Sequence, residues 1–166
     1  MLRPCRKRTW APRGRTPIQH AWDRHDRLSA IGALTLAPRR GHIGMYWGLQ
    51  PGNVHGPDVA SFLKQLHQHL RRDLILVWDR YQVHHAANRQ LCDVKVGWLR
   101  VEWLPPYAPD LNPVEAIWNH TKCVDLADFI PDDLETLQTA VKNSFQGECG
   151  NAPLKRSFFD FAGLKI

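Results

Sequence analysis

The sequence predicts an α/β domain built as a mixed sheet with flanking helices. Three observations carry that expectation. Two apolar runs, Leu28 to Leu36 and His42 to Leu49, are separated by Pro38, two arginines and Gly41, the punctuation of a hairpin. Helical and strand-like segments then alternate, which implies parallel strands joined by right-handed crossovers. The third is the short run Leu74 to Trp78, wholly apolar and ended by Asp79. In parallel sheets, sites form at the carboxyl ends of strands, and Asp79 stands at such an end.

Each element has its own reason. Residues 1–17 are Arg-rich and broken by Pro4, Pro12 and Pro17, with Gly14 in a turn; they read as an irregular arm. After the hairpin, Pro57-Asp58 opens a helix reaching about Arg72, with Val59, Phe62, Leu63, Leu66 and Leu70 on one face. Leu74 to Trp78 is expected to be a strand buried on both faces. A short helix covers His85 to Cys92. Trp98 to Leu104 alternates Leu99, Val101 and Trp103 against Arg100 and Glu102, the pattern of a strand.

Four prolines between Pro105 and Pro113 then make a stiff extended loop, because Pro fixes φ and cannot donate a backbone hydrogen bond. A helix follows from Pro113 to about Val124. Another starts near Pro131-Asp132-Asp133, with acids at its positive end, and runs to about Phe145, where Gly147 and Gly150 are expected to break it. A short helix closes the chain. The organisation expected is a basic arm over residues 1–20, an α/β domain over 21–130 and a helical extension over 131–166.

The chain has 166 residues, enough for one domain with a real core. No apolar run approaches the ~20 residues of a membrane span, and no apolar stretch follows the positive N-terminus as a signal peptide would require. Cys5, Cys92, Cys123 and Cys149 lack paired spacing, which argues against a disulfide framework or zinc ribbon and fits a reducing cytoplasm. Net charge is +6, unevenly spread. Residues 1–40 carry ten Lys/Arg and two acids, whereas the remaining 126 residues sum to −2. The basic character thus belongs to the N-terminal quarter, either as a polyanion-binding patch or as a solvated arm.

Two acids draw the chemistry. Asp79 reads as a helix cap or turn residue, or as a site carboxylate at a strand end. Asn112-Pro113-Val114-Glu115 reads as an N-cap, a Pro at N1 and a Glu at N3, hence a capping box; taken alone Glu115 reads as a cap before it reads as a metal ligand, and the two roles can coexist. Paired carboxylates suit Mg²⁺ or Mn²⁺, and without metal they repel and raise one another's pKa.

The run Leu104-Pro105-Pro106-Tyr107-Ala108-Pro109-Asp110-Leu111-Asn112-Pro113-Val114-Glu115-Ala116-Ile117-Trp118 resembles the signature around the last acid of DDE transposases of the IS630/Tc1/mariner type. Leu76-Val77-Trp78-Asp79-Arg80, followed by His84, resembles the segment around their second acid. Asp79 and Glu115 are 36 positions apart, matching that family's spacing. Arg8-Thr9-Trp10-Ala11-Pro12-Arg13-Gly14 resembles the stretch just after the first catalytic strand.

The resemblance implies an RNase H-like fold, Asp79 and Glu115 as catalytic metal ligands, and Mg²⁺ or Mn²⁺ as cofactor. It also implies DNA (transposon ends and target) as partner, cleavage with strand transfer, and homo-oligomers in the intact family. It places His84, Arg80 and Asn112 near the site.

The departure from the pattern concerns the first acid. The family carries it a few residues before the Arg-Thr-Trp motif, where Met1 to Lys7 here contain none; Asp23 and Asp26 come too late. The expectation is a truncated transposase whose first, central strand is missing, without the upstream helix-turn-helix region. Metal affinity is then weakened and the chain alone does not turn over. A non-catalytic DNA-binding or dimerising remnant is the alternative.

The DNA-binding candidates are Arg6, Lys7, Arg8, Arg13 and Arg15, with Trp10 either stacking on bases or packing the arm onto the sheet. Arg80 reads as a phosphate ligand or as a partner of Asp79 when metal is absent. Trp78, Trp103 and Trp118 are placed like core residues. His67 and His69 do not share a helix face. His120 and Cys123, at i and i+3, find no second pair to complete a zinc site.

Overall fold

The structure, a computed structural model, describes residues 10–15, 27–93 and 96–166. Strands β1 (Leu28–Leu36) and β2 (Ile43–Pro51) form the expected hairpin, paired antiparallel from Leu28 opposite Pro51 to Leu36 opposite Ile43. Helix α1 (Gly56–Leu70) follows, entered through a capping box in which the His55 amide donates to Asp58 Oδ2 at 2.8 Å. Strand β3 (Leu74–Trp78), helix α2 (Gln82–Asp93) and strand β4 (Leu99–Trp103) make a parallel βαβ unit, with Trp78 opposite Trp103.

A short 3₁₀ turn (Pro109–Leu111) leads into α3 (Pro113–His120), which continues as a π-helical segment, Thr121–Asp125. Helices α4 (Leu134–Gly150) and α5 (Ala152–Phe161) complete the chain. Gly147 does not break α4; the helix runs on to Gly150, where Asn151 caps α5 through a hydrogen bond from the Leu154 amide. One Gly costs a helix only ~1 kcal/mol. The burial of Val141 and Phe145 on α4 outweighs it.

Mixed pairing is present, but in two ladders. Among the described residues the antiparallel and the parallel pair are separate two-stranded sheets, and no strand of one bonds to a strand of the other. Two cores match this division. One joins the hairpin (Leu28, Met45) to α3, α4 and α5 through Ile117, Val141, Phe145 and Phe158. The other joins α1 (Val59, Leu63) to β3 and α2 through Trp78, Ala87 and Leu91, and Ile31 of the hairpin packs against it. Gly56, at the start of α1, lets the helices meet closely, since a Cβ there would stand 2.8 Å from the Cβ of Ala86.

The expected two-faced burial of β3 is corrected. Leu76 and Trp78 face the α1–α2 core, but Ile75 and Val77 are 71% and 55% exposed. Both helices pack on one face. The other carries Ile75 and Val77 beside their β4 partners Arg100 and Glu102, which pair with each other at 2.8 Å. Ile75→Thr is therefore expected to change unfolding free energy by less than ~0.5 kcal/mol, as surface substitutions do. A urea titration checks this, and a loss several times larger would mean that this face is covered in solution.

Trp78 is buried as expected, with Trp103 and Trp118 half-buried against the two cores. Among the described residues no helix is long and apolar enough to cross a membrane.

Candidate metal-binding carboxylate site

Asp79 leaves the carboxyl end of β3 with its side chain held from two directions. Oδ1 accepts the Tyr81 backbone N–H at 3.0 Å and the His84 Nδ1–H at 2.7 Å. The carboxylate only accepts, so this contact fixes the imidazole proton on Nδ1. His84 is itself positioned by stacking on Trp78, with ring centroids 4.9 Å apart and planes 10° from parallel. Both Oδ1 bonds lie on one side of the carboxylate, which leaves Oδ2 for another partner. The turn reading of Asp79 thus holds locally, and it sets the carboxylate's direction.

Arg80 does not pair with Asp79. Its Nε donates to the Leu104 carbonyl at 3.1 Å, tying the end of β3 to the chain leaving β4. His85 stacks on Trp103, centroids 4.3 Å apart, so the adjacent histidines grip one tryptophan each.

The proline-rich loop delivers Glu115. It is less uniformly extended than expected: Tyr107 takes a left-handed φ of 58°, and Pro109–Leu111 forms a 3₁₀ turn. Asn112 caps α3 by accepting the Val114 amide at 3.2 Å. The second half of the expected capping box is absent, because the Asn112 amide already donates to the Pro109 carbonyl at 2.9 Å. Glu115 is thereby spared for other work.

The Glu115 carboxyl is pushed above its ordinary value, first by burial and then by the negative charge of Asp79, with Lys122 pulling the other way. The Asp79 charge thus reaches Glu115 across 36 positions of sequence, and it acts in the direction expected of neighbouring carboxylates without metal. Their oxygens are the hard donors that Mg²⁺ and Mn²⁺ prefer, so the residues present fit such an ion.

The basic residues are placed less fully. Arg6, Lys7 and Arg8 lie outside the described residues, as do Asp23 and Asp26. Arg13 and Arg15 are exposed on a turn closed by the Arg15 amide on the Pro12 carbonyl at 2.9 Å, with Gly14 at φ 85°. Trp10 does not pack the arm onto a sheet; it is 101% exposed.

One cluster escaped the sequence reading. His120, Asp125 and Glu148 converge behind α3, and burial pushes the Glu148 carboxyl up to about 7 against hydrogen bonds from Thr121 and His120. The His120 and Cys123 spacing pointed one turn along a regular helix, whereas the π segment turns Asp125 toward His120.

No curated protein matches the sequence significantly. Among solved structures, a chain in the crystal structure of the Mos1 strand transfer complex shares the fold, with a TM-score of 0.50 and 19% identity. The match covers 98% of this chain and 50% of that one, so this chain spans half the length of its structural relative. That likeness bears out the expected RNase H-like α/β fold with flanking helices. The family described as DDE superfamily endonuclease matches residues 1–138, most of the chain, and this protein belongs to it.

Proposed function

We propose that this chain is the catalytic part of a transposase of the IS630/Tc1/mariner type, acting on DNA with Mg²⁺ or Mn²⁺ held by Asp79 and Glu115. The placing of Asp79 at the carboxyl end of β3, with the Glu115 pKa raised by burial and then by the Asp79 charge, carries the reading. When bound, such an ion stabilises charge on a phosphodiester and activates the attacking oxygen. The protein's part is to hold the two carboxylates. His84 and the Tyr81 amide orient Asp79, while Asn112 anchors the helix that presents Glu115.

The exposed Trp10, Arg13 and Arg15, with Arg6, Lys7 and Arg8 of the same basic segment, supply charge and a stacking surface for DNA. Homo-oligomers and a strand-transfer activity belong to the same proposal, supported by the family membership and by the fold shared with the strand transfer complex.

Met1 to Lys7 hold no acid where the family pattern calls for its first, and among the described residues the two sheets are not joined. This favours a second reading, a DNA-binding but non-catalytic remnant, for the isolated chain. The purified protein is expected to bind plasmid DNA with an affinity that falls steeply with salt, and to leave it intact with Mg²⁺ or Mn²⁺. Nicking that disappears in Asp79→Ala would overturn the inactivity. DNA binding that persists in Asp79→Ala/Glu115→Ala, with no calorimetric trace of Mg²⁺ binding by the parent, would select the remnant.

A further inference from the structure

The chain just past Glu115 holds a second convergence of ligand-type side chains. From Thr121 to Asp125 the backbone is π-helical, and the Leu126 amide donates to the Thr121 carbonyl at 2.9 Å. Such a segment aligns residues five apart, and π-bulges concentrate at functional sites. Asp125 therefore comes round beneath His120, its Oδ2 3.6 Å from His120 Nδ1. Glu148, arriving on α4, places Oε1 3.0 Å from the same nitrogen. One imidazole and two carboxylates thus meet from two helices, each with a ligand atom within 4.8 Å of the others.

The hydrogen bonds around them are incomplete in a specific way. Glu148 is 1% exposed, yet its Oε2 is buried with no partner. Oε1 accepts the Thr121 hydroxyl at 3.0 Å, and Asp125 Oδ2 accepts the Ser144 hydroxyl at 2.6 Å. A single proton on His120 Nδ1 cannot serve both carboxylates. No Lys or Arg forms an ion pair with either among the described residues; His120 is the partner of both. A buried carboxylate such as Glu148 is otherwise paired with a cation, coordinates a metal or takes up a proton, whereas Asp125 is exposed. Apart from His120, no cation pairs with the two carboxylates among the described residues, and the buried Glu148 Oε2 is left with no partner.

We propose that His120, Asp125 and Glu148 bind a divalent cation of the Zn²⁺ class, at a site distinct from Asp79 and Glu115. An imidazole nitrogen with two carboxylates is a donor set for borderline transition metals, whereas Mg²⁺ favours oxygen alone. The spacing suits one ion: ligands at ~2.1 Å from a common metal stand ~3.0 Å apart at right angles and ~3.4 Å apart in a tetrahedron. The observed separations from Nδ1 are 3.0 and 3.6 Å. Thr121 and Ser144 are positioning residues, holding the carboxylates through their hydroxyls as outer groups do in metal sites. The ion would staple the segment after α3 to α4, fixing the helix that presents Glu115.

The test uses the whole chain carrying Asp79→Asn/Glu115→Gln, which silences the other site, and titrates it with Zn²⁺ alone and with Co²⁺ as a spectroscopic probe. One equivalent of Zn²⁺ is expected to bind, raise Tm and displace Co²⁺ from a visible-absorbing complex. His120→Ala and Glu148→Gln should each weaken binding by at least about a hundredfold, and Thr121→Val by about ten- to a hundredfold. His120 is part-exposed, so it carries the test if a Glu148 variant fails to fold; circular dichroism distinguishes the cases. Absence of Zn²⁺ binding in the double variant, or undiminished binding in folded His120→Ala, overturns the proposal.

Discussion

Phe145→Ala is expected to remove about 3–5 kcal/mol of folding stability, the cost of truncating a fully buried aromatic ring. Phe145 is 1% exposed and stands where three elements meet. Its ring lies 5.4 Å from Trp47 of β2 and 5.8 Å from Trp118 of α3, tilted against both. Around it sit Ile117, Val141 and Phe158 of the same core. Little can collapse into the hole, because the flanking indoles are anchored to different elements.

Domains of this size hold only ~5–15 kcal/mol in total, so the variant should unfold at far lower urea, or fail to fold at 37 °C. Trp118 is three residues beyond Glu115 on α3, so loosening its packing should also loosen that carboxylate. A urea midpoint shift worth less than ~1 kcal/mol would show that the helices do not rest on the hairpin through this ring.

Much of that architecture was legible in the chain. The hairpin was marked by Pro38 and Gly41, α1 by its apolar face from Val59 to Leu70, and the βαβ unit by a strand ending in Asp79. These rest on local signals that tertiary contacts seldom override. The alternation in β4 correctly left Arg100 and Glu102 outside. The run of five apolar residues in β3 misled, since an apolar side chain reports that it can be buried, not that an element covers it. Ile75 and Val77 face away from both helices that pack on the sheet.

The site was legible in part. Asn112, Pro113 and Glu115 read by themselves first as a capping box, and only the Pro109 carbonyl, by taking the Asn112 amide, separates capping from a free carboxylate. The orientation of Asp79 by His84 depends on Trp78 stacking, a contact across β3 and α2 that spacing does not reveal. Glu148 lay beyond reach altogether. Nothing local in α4 distinguishes it from a surface acid, and its partner Asp125 joins His120 only because the helix slips into π geometry.

Glu115→Gln is expected to abolish the stabilisation that Mg²⁺ confers on this protein. A ligand that binds only the folded state adds RT ln(1 + [L]/Kd), ~2.7 kcal/mol at a hundredfold excess over Kd, and Mg²⁺ is the probe of choice because the imidazole-bearing cluster disfavours it. The metal-free chain should show the complementary effect. Burial and the Asp79 charge raise the Glu115 pKa in the folded state. Its contribution to stability is therefore complete below the unfolded value of about 4.3 and is lost as pH rises through the folded one.

Glu148, raised to about 7, acts in the same direction. The comparison of parent and variant across pH isolates Glu115 from it. Without metal, Glu115→Gln should lose less stability than the parent between mildly acid and neutral pH, because the amide has no charge to repel Asp79. With Mg²⁺ the order should reverse at neutral pH, as the parent gains and the variant does not. If both proteins gain equally from Mg²⁺, Glu115 is a buried structural acid and the two carboxylates do not share an ion.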